Sequence, residues 1–217
     1  MKHPKATAIA TSPMSFTITE PDNMGYELGP DPDPDWVPDE IVYYKLTLNT
    51  QNPLQFGFAA NSGTRPWTNQ ASLDSLLDDA RADRVSGLKK LNWQKESAPD
   101  IRVVNKCYVI LHLDPNWNWH LLPGMFALRV GDETVETYCG LRHCPDVGGA
   151  FLKPVGVPRV APRAADICHI LYFAVTDVRP AGTAADSCNL FVQFAMADNH
   201  FIPVLVDPDI KNDGGNP

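Results

Sequence analysis

The sequence contains none of the short motifs by which the common enzyme classes are recognised. It has no GxxxxGKS/T or GxGxxG loop for phosphates, no GxSxG nucleophile turn, no HExxH zinc motif and no CxxC pair. These absences argue against nucleotide-binding enzymes, serine hydrolases and zinc proteases. We therefore expect a protein that is not an enzyme and that holds no cofactor.

Long apolar runs and basic clusters are also missing, so we expect neither a membrane span nor a secretory leader. The net charge is −8, and residues 1–40 carry most of it, with two lysines against eight acidic residues. An acidic chain without a basic cluster argues against nucleic-acid partners. Five cysteines, an odd number, without an export signal predict reduced thiols and a cytoplasmic location.

Proline, by contrast, is abundant, and its 20 positions restrict helices to a few windows. The longest proline-free window, residues 67–98, contains the only helix that we predict, near residues 72–86. Ser72 is the predicted N-cap. Its apolar stripe would consist of Leu73, Leu76, Leu77 and Ala80.

Alternating or two-sided apolar patterns predict about nine strands in the rest of the chain. Residues 41–50 alternate, with Val42, Tyr44 and Leu46 on one face. Residues 167–178, and the second half of residues 101–113, are apolar on both faces, which predicts two central strands. Residues 125–130 and 134–139 flank a glycine turn, which predicts a hairpin.

This spacing of strands and turns predicts a mainly β fold, a β-sandwich that is jelly-roll-like or of Greek-key type. Residues 1–40, which are acidic and rich in proline, are predicted to form one strand followed by a solvated arm or a long surface loop. Residues 41–217 would then form a single sandwich domain. A long irregular loop is predicted at residues 145–162.

An aromatic motif at residues 114–120 suggests a carbohydrate site. Alternation would place Trp117 and Trp119 on one face and Asn116, Asn118 and His120 on the other. Tryptophan faces beside amide and imidazole groups can stack on a sugar and hydrogen-bond it. The alternative is that the tryptophans cover the core at the end of a strand and that the asparagines form a turn.

Two sets of residues offer metal ligands, although both depart from known spacings. Asp207, Asp209 and Asp213 offer carboxylates for Ca²⁺, but Lys211 occupies a position where an EF-hand loop needs oxygen. Thiols and imidazoles that could bind zinc or support catalysis are found at Cys139, His143, Cys144 and His169. Buried, inert cysteines and a solvated turn are the favoured interpretations, so Ca²⁺ stays an alternative and zinc a weaker one.

The C-terminal stretch resembles the ending of bacterial inclusion-body proteins of the PixA/AidA type. The resemblance is carried by Val192-Gln193-Phe194-Ala195 and by Asp207-Pro208-Asp209-Ile210, and it covers about 20 of the 217 residues. It implies a cytoplasmic, non-enzymatic β-sandwich that accumulates or assembles, with some affinity for sugars. It identifies no site residues.

The leading functional hypothesis is a structural or interaction protein that forms homo-oligomers through strand edges and its N-terminal arm. The first alternative is a lectin-like module at Trp117 and Trp119 that binds a glycan, with or without Ca²⁺. The second alternative is a metalloprotein or enzyme built on the cysteine and histidine residues.

Overall fold

A computed structural model describes residues 31–49, 57–90, 100–129, 137–145, 168–180, 185–195, 201–206 and 209–212. The predicted mainly β fold is confirmed. In chain order the elements are β1 (Glu40–Asn49), β2 (Gly57–Pro66), α1 (Gln70–Arg81), β3 (Lys89–Lys90), β4 (Ile101–Val103), β5 (Cys107–Leu113), β6 (Trp119–Arg129), β7 (Tyr138–Pro145), β8 (Cys168–Val175), β9 (Asp186–Ala195), β10 (Phe201–Val206) and β11 (Asp209–Asn212). No helix among the described residues is long and apolar enough to cross a membrane.

The strands form two sheet halves that face one another. In the first sheet the order is β3-β2-β1-β5-β8-β7, with β1 and β5 parallel and the other neighbours antiparallel. In the second sheet β9 pairs with β6 on one edge and with β10 and β11 on the other, and β11 continues to β4. A single residue pair, Leu121 with Cys168, joins the halves.

The larger core lies between the two sheets and gives the molecule its β-sandwich character. It buries one face of β1, β5 and β8 against side chains from the second sheet such as Trp119, Val192 and Ile210. Tyr44 also crosses the sandwich, because its hydroxyl oxygen accepts a hydrogen bond from the backbone N–H of Arg102 at 2.8 Å. Val42, Tyr44 and Leu46 thus share the face predicted for them.

A second core lies on the opposite face of the first sheet, under α1. Leu73, Leu76, Leu77 and Ala80 of the helix are buried there against β1, β5 and β8. Both faces of the first sheet are therefore covered, which explains why β5 and β8 are apolar on both sides.

The predicted helix is present, but its bounds differ from the prediction. It spans Gln70–Arg81 and not residues 72–86, and its N-cap is Asn69 and not Ser72. Ser72 lies in the first turn, where its hydroxyl donates to the carbonyl of Asn69 at 2.6 Å. The helix ends before Gly87 because Asp83 already adopts a left-handed conformation, with φ of 50°.

Two strand predictions were wrong, one in the extent of a strand and one in the pairing of a hairpin. Residues 101–113 do not form one strand, because the chain bends at the exposed Asn105 and Lys106 and separates β4 from β5. These two strands belong to different sheets. The predicted hairpin also fails, since β6 pairs with β9 while β7 pairs with β8.

Some predictions fall outside the described residues. These are the strand at residues 14–20, most of the arm and nearly all of the loop at residues 145–162.

Candidate functional site

The described end of the acidic arm packs on the body of its own chain. We call residues 31–37 the strap. The Asp31 carboxylate pairs with the Arg142 guanidinium of β7, and the Trp36 ring meets Tyr108 of β5 edge-on, with centroids 5.2 Å apart. The strap therefore crosses the first sheet from β7 to β5, on the same side as α1.

A bulge in β7 makes room for the strap. The register of β7 on β8 shifts between Cys139 and Arg142, and Gly140 in this shift has φ of 65°. A Cβ atom on Gly140 would lie 2.9 Å from Cδ of Pro32. Glycine thus serves here both for its backbone conformation and for the close approach of the strap.

Aromatic rings gather where the strap meets α1. The ring of Tyr108 lies 5.2 Å from Trp36, 5.4 Å from Trp67 and 5.9 Å from Tyr172, measured between centroids. We call these four residues the aromatic cluster. Tyr172 is buried, whereas the other three rings remain partly exposed. The cluster presents an aromatic surface of the kind that stacks on a ligand or on another protein.

A cluster of polar side chains lies on the face of the first sheet that α1 covers, at the end opposite the aromatic cluster. The hydroxyl of Tyr43 is 2.6 Å from Nδ1 of His112, and both residues are buried. Nearby, Lys45 Nζ lies 2.6 Å from Asp83 Oδ1 and 3.6 Å from Asp114 Oδ1. Two carboxylates therefore neutralise a lysine beside a buried imidazole.

The environment keeps the Tyr43 hydroxyl and the His112 imidazole uncharged. Burial first, and then the Lys45 ammonium, lower the pKa of His112 to about 4, so that its imidazole is neutral at neutral pH. Burial, reinforced by Asp83 and Asp114, raises the pKa of Tyr43 well above its ordinary value. A tyrosine that resists ionisation is a poor nucleophile, so the arrangement favours a structural tie over catalysis.

The residues predicted to bind sugar do not form a shared platform. Trp119 is buried in the larger core, and its Nε1 donates to the carbonyl of Asp114 at 2.7 Å. His120 is buried as well and hydrogen-bonds Gln193 at 3.0 Å. Trp117 is partly buried against the core, and Asn116 and Asn118 are exposed in the turn before β6. Trp119 thus has no exposed ring face to offer a ligand.

The predicted thiol and imidazole ligands lie on the neighbouring strands β7 and β8 of the first sheet. Cys144 lies in the core under α1, and His169 lies at the register shift where β8 passes Cys144 and Pro145 of β7. Burial, and then Asp31, raise the pKa of Cys139 to about 11, which keeps this thiol protonated. His143 pairs through its backbone with Leu171.

No three His, Cys, Asp or Glu side chains group as metal ligands within the described ranges. Of the residues predicted to bind Ca²⁺, Asp209 lies in β11, where its backbone N–H donates to Asp100 Oδ1 at 3.4 Å. Asp207 and Asp213 fall outside the described residues.

The sequence did not single out the strap contacts or the aromatic cluster. Trp36 follows a run of Asp-Pro pairs that is typical of a solvated chain, and nothing local shows that its ring packs on Tyr108. One signal was available, because strand alternation places Tyr108 on the same face as Ile110 and His112. Comparison with known protein families, with curated proteins and with solved structures found no match.

Proposed function

We propose that this protein is a non-enzymatic β-sandwich of the cytoplasm whose function is to associate with copies of itself. The observation that carries the proposal is the composition of β10, Phe-Ile-Pro-Val-Leu-Val, in which Ile202 is 48% exposed. It is one of two large apolar side chains exposed to this degree within the described part of the chain. Ile202 supports the proposal because it lies on a strand that pairs on one side only among the described residues, and not by exposure alone, since single exposed apolar side chains are common.

The position of β10 supports the same proposal. Among the described residues it pairs with β9 alone, with Ile202 opposite Phe194. Pro203 in the middle of the strand is typical of an edge, because proline cannot donate to a further ladder. Its missing N–H also removes a donor from this edge, which weakens backbone pairing with a second chain, so we propose a contact made by side chains such as that of Ile202.

Charge also favours association. Outside residues 1–40 the chain carries 16 basic and 18 acidic residues. The bodies of two copies, taken without the acidic residues 1–40, therefore repel each other only weakly.

The resemblance to the PixA/AidA type gives further support. Its matching residues Val192–Ala195 fall in β9, and Asp209 and Ile210 fall in β11, next to the edge proposed for association. We propose that the chain accumulates or assembles as those proteins do.

Sedimentation velocity over a wide range of protein concentrations tests the proposal. We expect the wild-type protein to form oligomers, and we expect Ile202→Lys to shift the distribution toward smaller species. The matched control is Ser75→Lys, which places the same charge on an exposed residue of α1, outside both β10 and the strap. A wild-type protein that stays monomeric at every concentration overturns the proposal.

Carbohydrate binding remains the second candidate, and the aromatic cluster is what favours it. We propose that a sugar would stack on the exposed parts of Trp67 and Tyr108, and not on Trp119. A glycan array read with and without a chelator tests binding and its dependence on Ca²⁺. Loss of the signal in Trp67→Ala, with retention in Asn116→Ala, supports this site, and an array without signal rejects it.

A further inference from the structure

We propose that the strap exchanges between two copies of the chain, so that each copy lays its strap on the first sheet of the other. This inference rests on the proposed self-association, and it names a second interface, separate from β10. Exchange would yield a closed dimer, and the β10 edges would then join such dimers into larger assemblies.

The strap binds to a surface that every copy presents. Its partners are the Arg142 guanidinium, the backbone at Gly140 and the ring of Tyr108, all of which belong to the sandwich body. A second copy offers the same three contacts with the same geometry. Exchanging an identical element therefore costs little in contact energy, which makes it an accessible route to a dimer.

Two features of the described strap weaken its hold on its own body. Asp31 is 54% exposed, so water weakens its ion pair with Arg142. The indole N–H of Trp36 is buried and finds no hydrogen-bond acceptor in the described part of the structure. A buried donor without an acceptor opposes docking and lowers the cost of lifting the strap.

The chain changes from a lightly held strap to a firmly held strand at residues 37 and 38. Val37 is 64% exposed, and a residue before proline is held extended, as a linking segment requires. From Asp39 onward the backbone is fixed, because its N–H donates to the carbonyl of Lys106 at 2.7 Å. The strap can therefore leave its own sheet along this extended link toward a second copy while β1 stays in place.

The strap also carries internal structure that would move with it. The backbone N–H of Trp36 donates to the carbonyl of Asp33 at 2.9 Å, and that of Asp35 donates to the Asp33 side chain at 2.8 Å. These bonds close a local turn that does not depend on the sheet. The strap can thus leave one sheet and dock on another with its turn intact.

Charge reversal at the Asp31–Arg142 pair tests the exchange. Asp31→Arg alone and Arg142→Asp alone each place like charges at the contact, within one chain and between identical chains. When the two variants are mixed, both contacts of an exchanged heterodimer join opposite charges again. Native mass spectrometry should then show heterodimers in several-fold excess over the random proportion, and each variant alone should be depleted in dimer.

Two controls accompany this experiment. The double variant Asp31→Arg/Arg142→Asp restores the pair within each chain and should dimerise as the wild type does. Mixing Asp78→Arg with Arg81→Asp, a pair within α1 that should not be exchanged, should yield no excess of heterodimer.

The outcomes separate this inference from the proposed function. If the wild type forms oligomers but the mixture shows no excess of heterodimer, association proceeds elsewhere and strap exchange is wrong. If the wild type is monomeric throughout, both proposals are wrong.

Discussion

The hydroxyl of Tyr43 lies 2.6 Å from Nδ1 of His112, across the parallel strands β1 and β5 and under the cover of α1. The two residues are 69 positions apart in the chain, so this contact ties together the ends of a long crossover. His112 is 1% exposed, and its charged form would lie beside the Lys45 ammonium. The contact therefore depends on a neutral imidazole.

Folding stability should fall on the acid side because of His112. Its pKa is about 4 in the folded chain, lowered first by burial and then by Lys45, against an ordinary value of 6.5. Between these values the unfolded chain binds the extra proton, so this contribution is complete above pH 6.5 and declines as the pH falls toward 4. We expect a loss of about 3 kcal/mol over that range, measured by urea unfolding.

Two variants distinguish the source of this pH dependence. His112→Gln should lower stability at neutral pH and remove most of the decline between pH 6.5 and 4. Tyr43→Phe should keep the decline, since burial and not the hydroxyl is the largest cause of the shift. The Asp83 and Asp114 carboxylates and the His169 imidazole stay in place in both variants. An unchanged acid-side decline in His112→Gln would contradict this account.

Local patterns revealed the faces of strands but not their partners. The alternation of Val42, Tyr44 and Leu46 correctly placed these side chains together, because strand geometry alone dictates which residues share a face. Whether β5 pairs with β1 or with β4 depends on contacts between distant segments. No local feature at Asn105 and Lys106 is strong enough to show that the chain passes there from one sheet to the other.

The same limit explains the errors at the site. Alternation along one strand shows which side chains share a face. It does not show whether the face that carries Trp119 lies toward water or toward the core. Trp36 follows Asp-Pro pairs that favour an extended solvated chain, yet its ring packs on the ring of Tyr108, 72 positions further along the sequence. Tertiary contacts override local preference at both positions.

A buried carboxylate connects the two sheets near the start of β9, and its removal should be costly. Asp186 is 1% exposed and accepts hydrogen bonds from the Tyr138 hydroxyl at 2.6 Å and from Arg179 at 2.9 Å. Asp186→Ala removes a buried carboxylate that pairs with the Arg179 guanidinium and accepts a hydrogen bond from the Tyr138 hydroxyl, and we expect a loss of about 3–5 kcal/mol in urea unfolding. The control Asp78→Ala removes a carboxylate that is 66% exposed from its pair with Arg81, and should cost less than about 1 kcal/mol. Equal losses in the two variants would show that Asp186 has no special role.

Trp119 should behave as a core residue. Trp119→Ala removes a fully buried ring that lies 5.6 Å from Phe194, and we expect a loss of about 3–5 kcal/mol in thermal or urea unfolding. Trp117→Ala, at a partly buried neighbour, should cost clearly less. A mild effect of Trp119→Ala, together with loss of sugar binding, would return Trp119 to the surface role that alternation suggested.

Gly140 and Gly87 have similar backbone conformations, so a comparison of their alanine variants isolates the effect of crowding under the strap. Both have left-handed φ values, 65° and 69°, so alanine at either position should cost about 1–2 kcal/mol in backbone strain. A Cβ at Gly87 meets nothing within 4 Å, whereas one at Gly140 lies 2.9 Å from Pro32. Gly140→Ala should therefore lower the free energy of unfolding more than Gly87→Ala does. Limited proteolysis should also cut the strap of Gly140→Ala faster than the strap of Gly87→Ala. The added methyl group would meet an exchanged strap in the same way as the chain's own strap. Gly140→Ala should therefore also form less dimer than the wild type. Equal stability, proteolysis and dimer content in the two variants would mean that the strap does not press on Gly140.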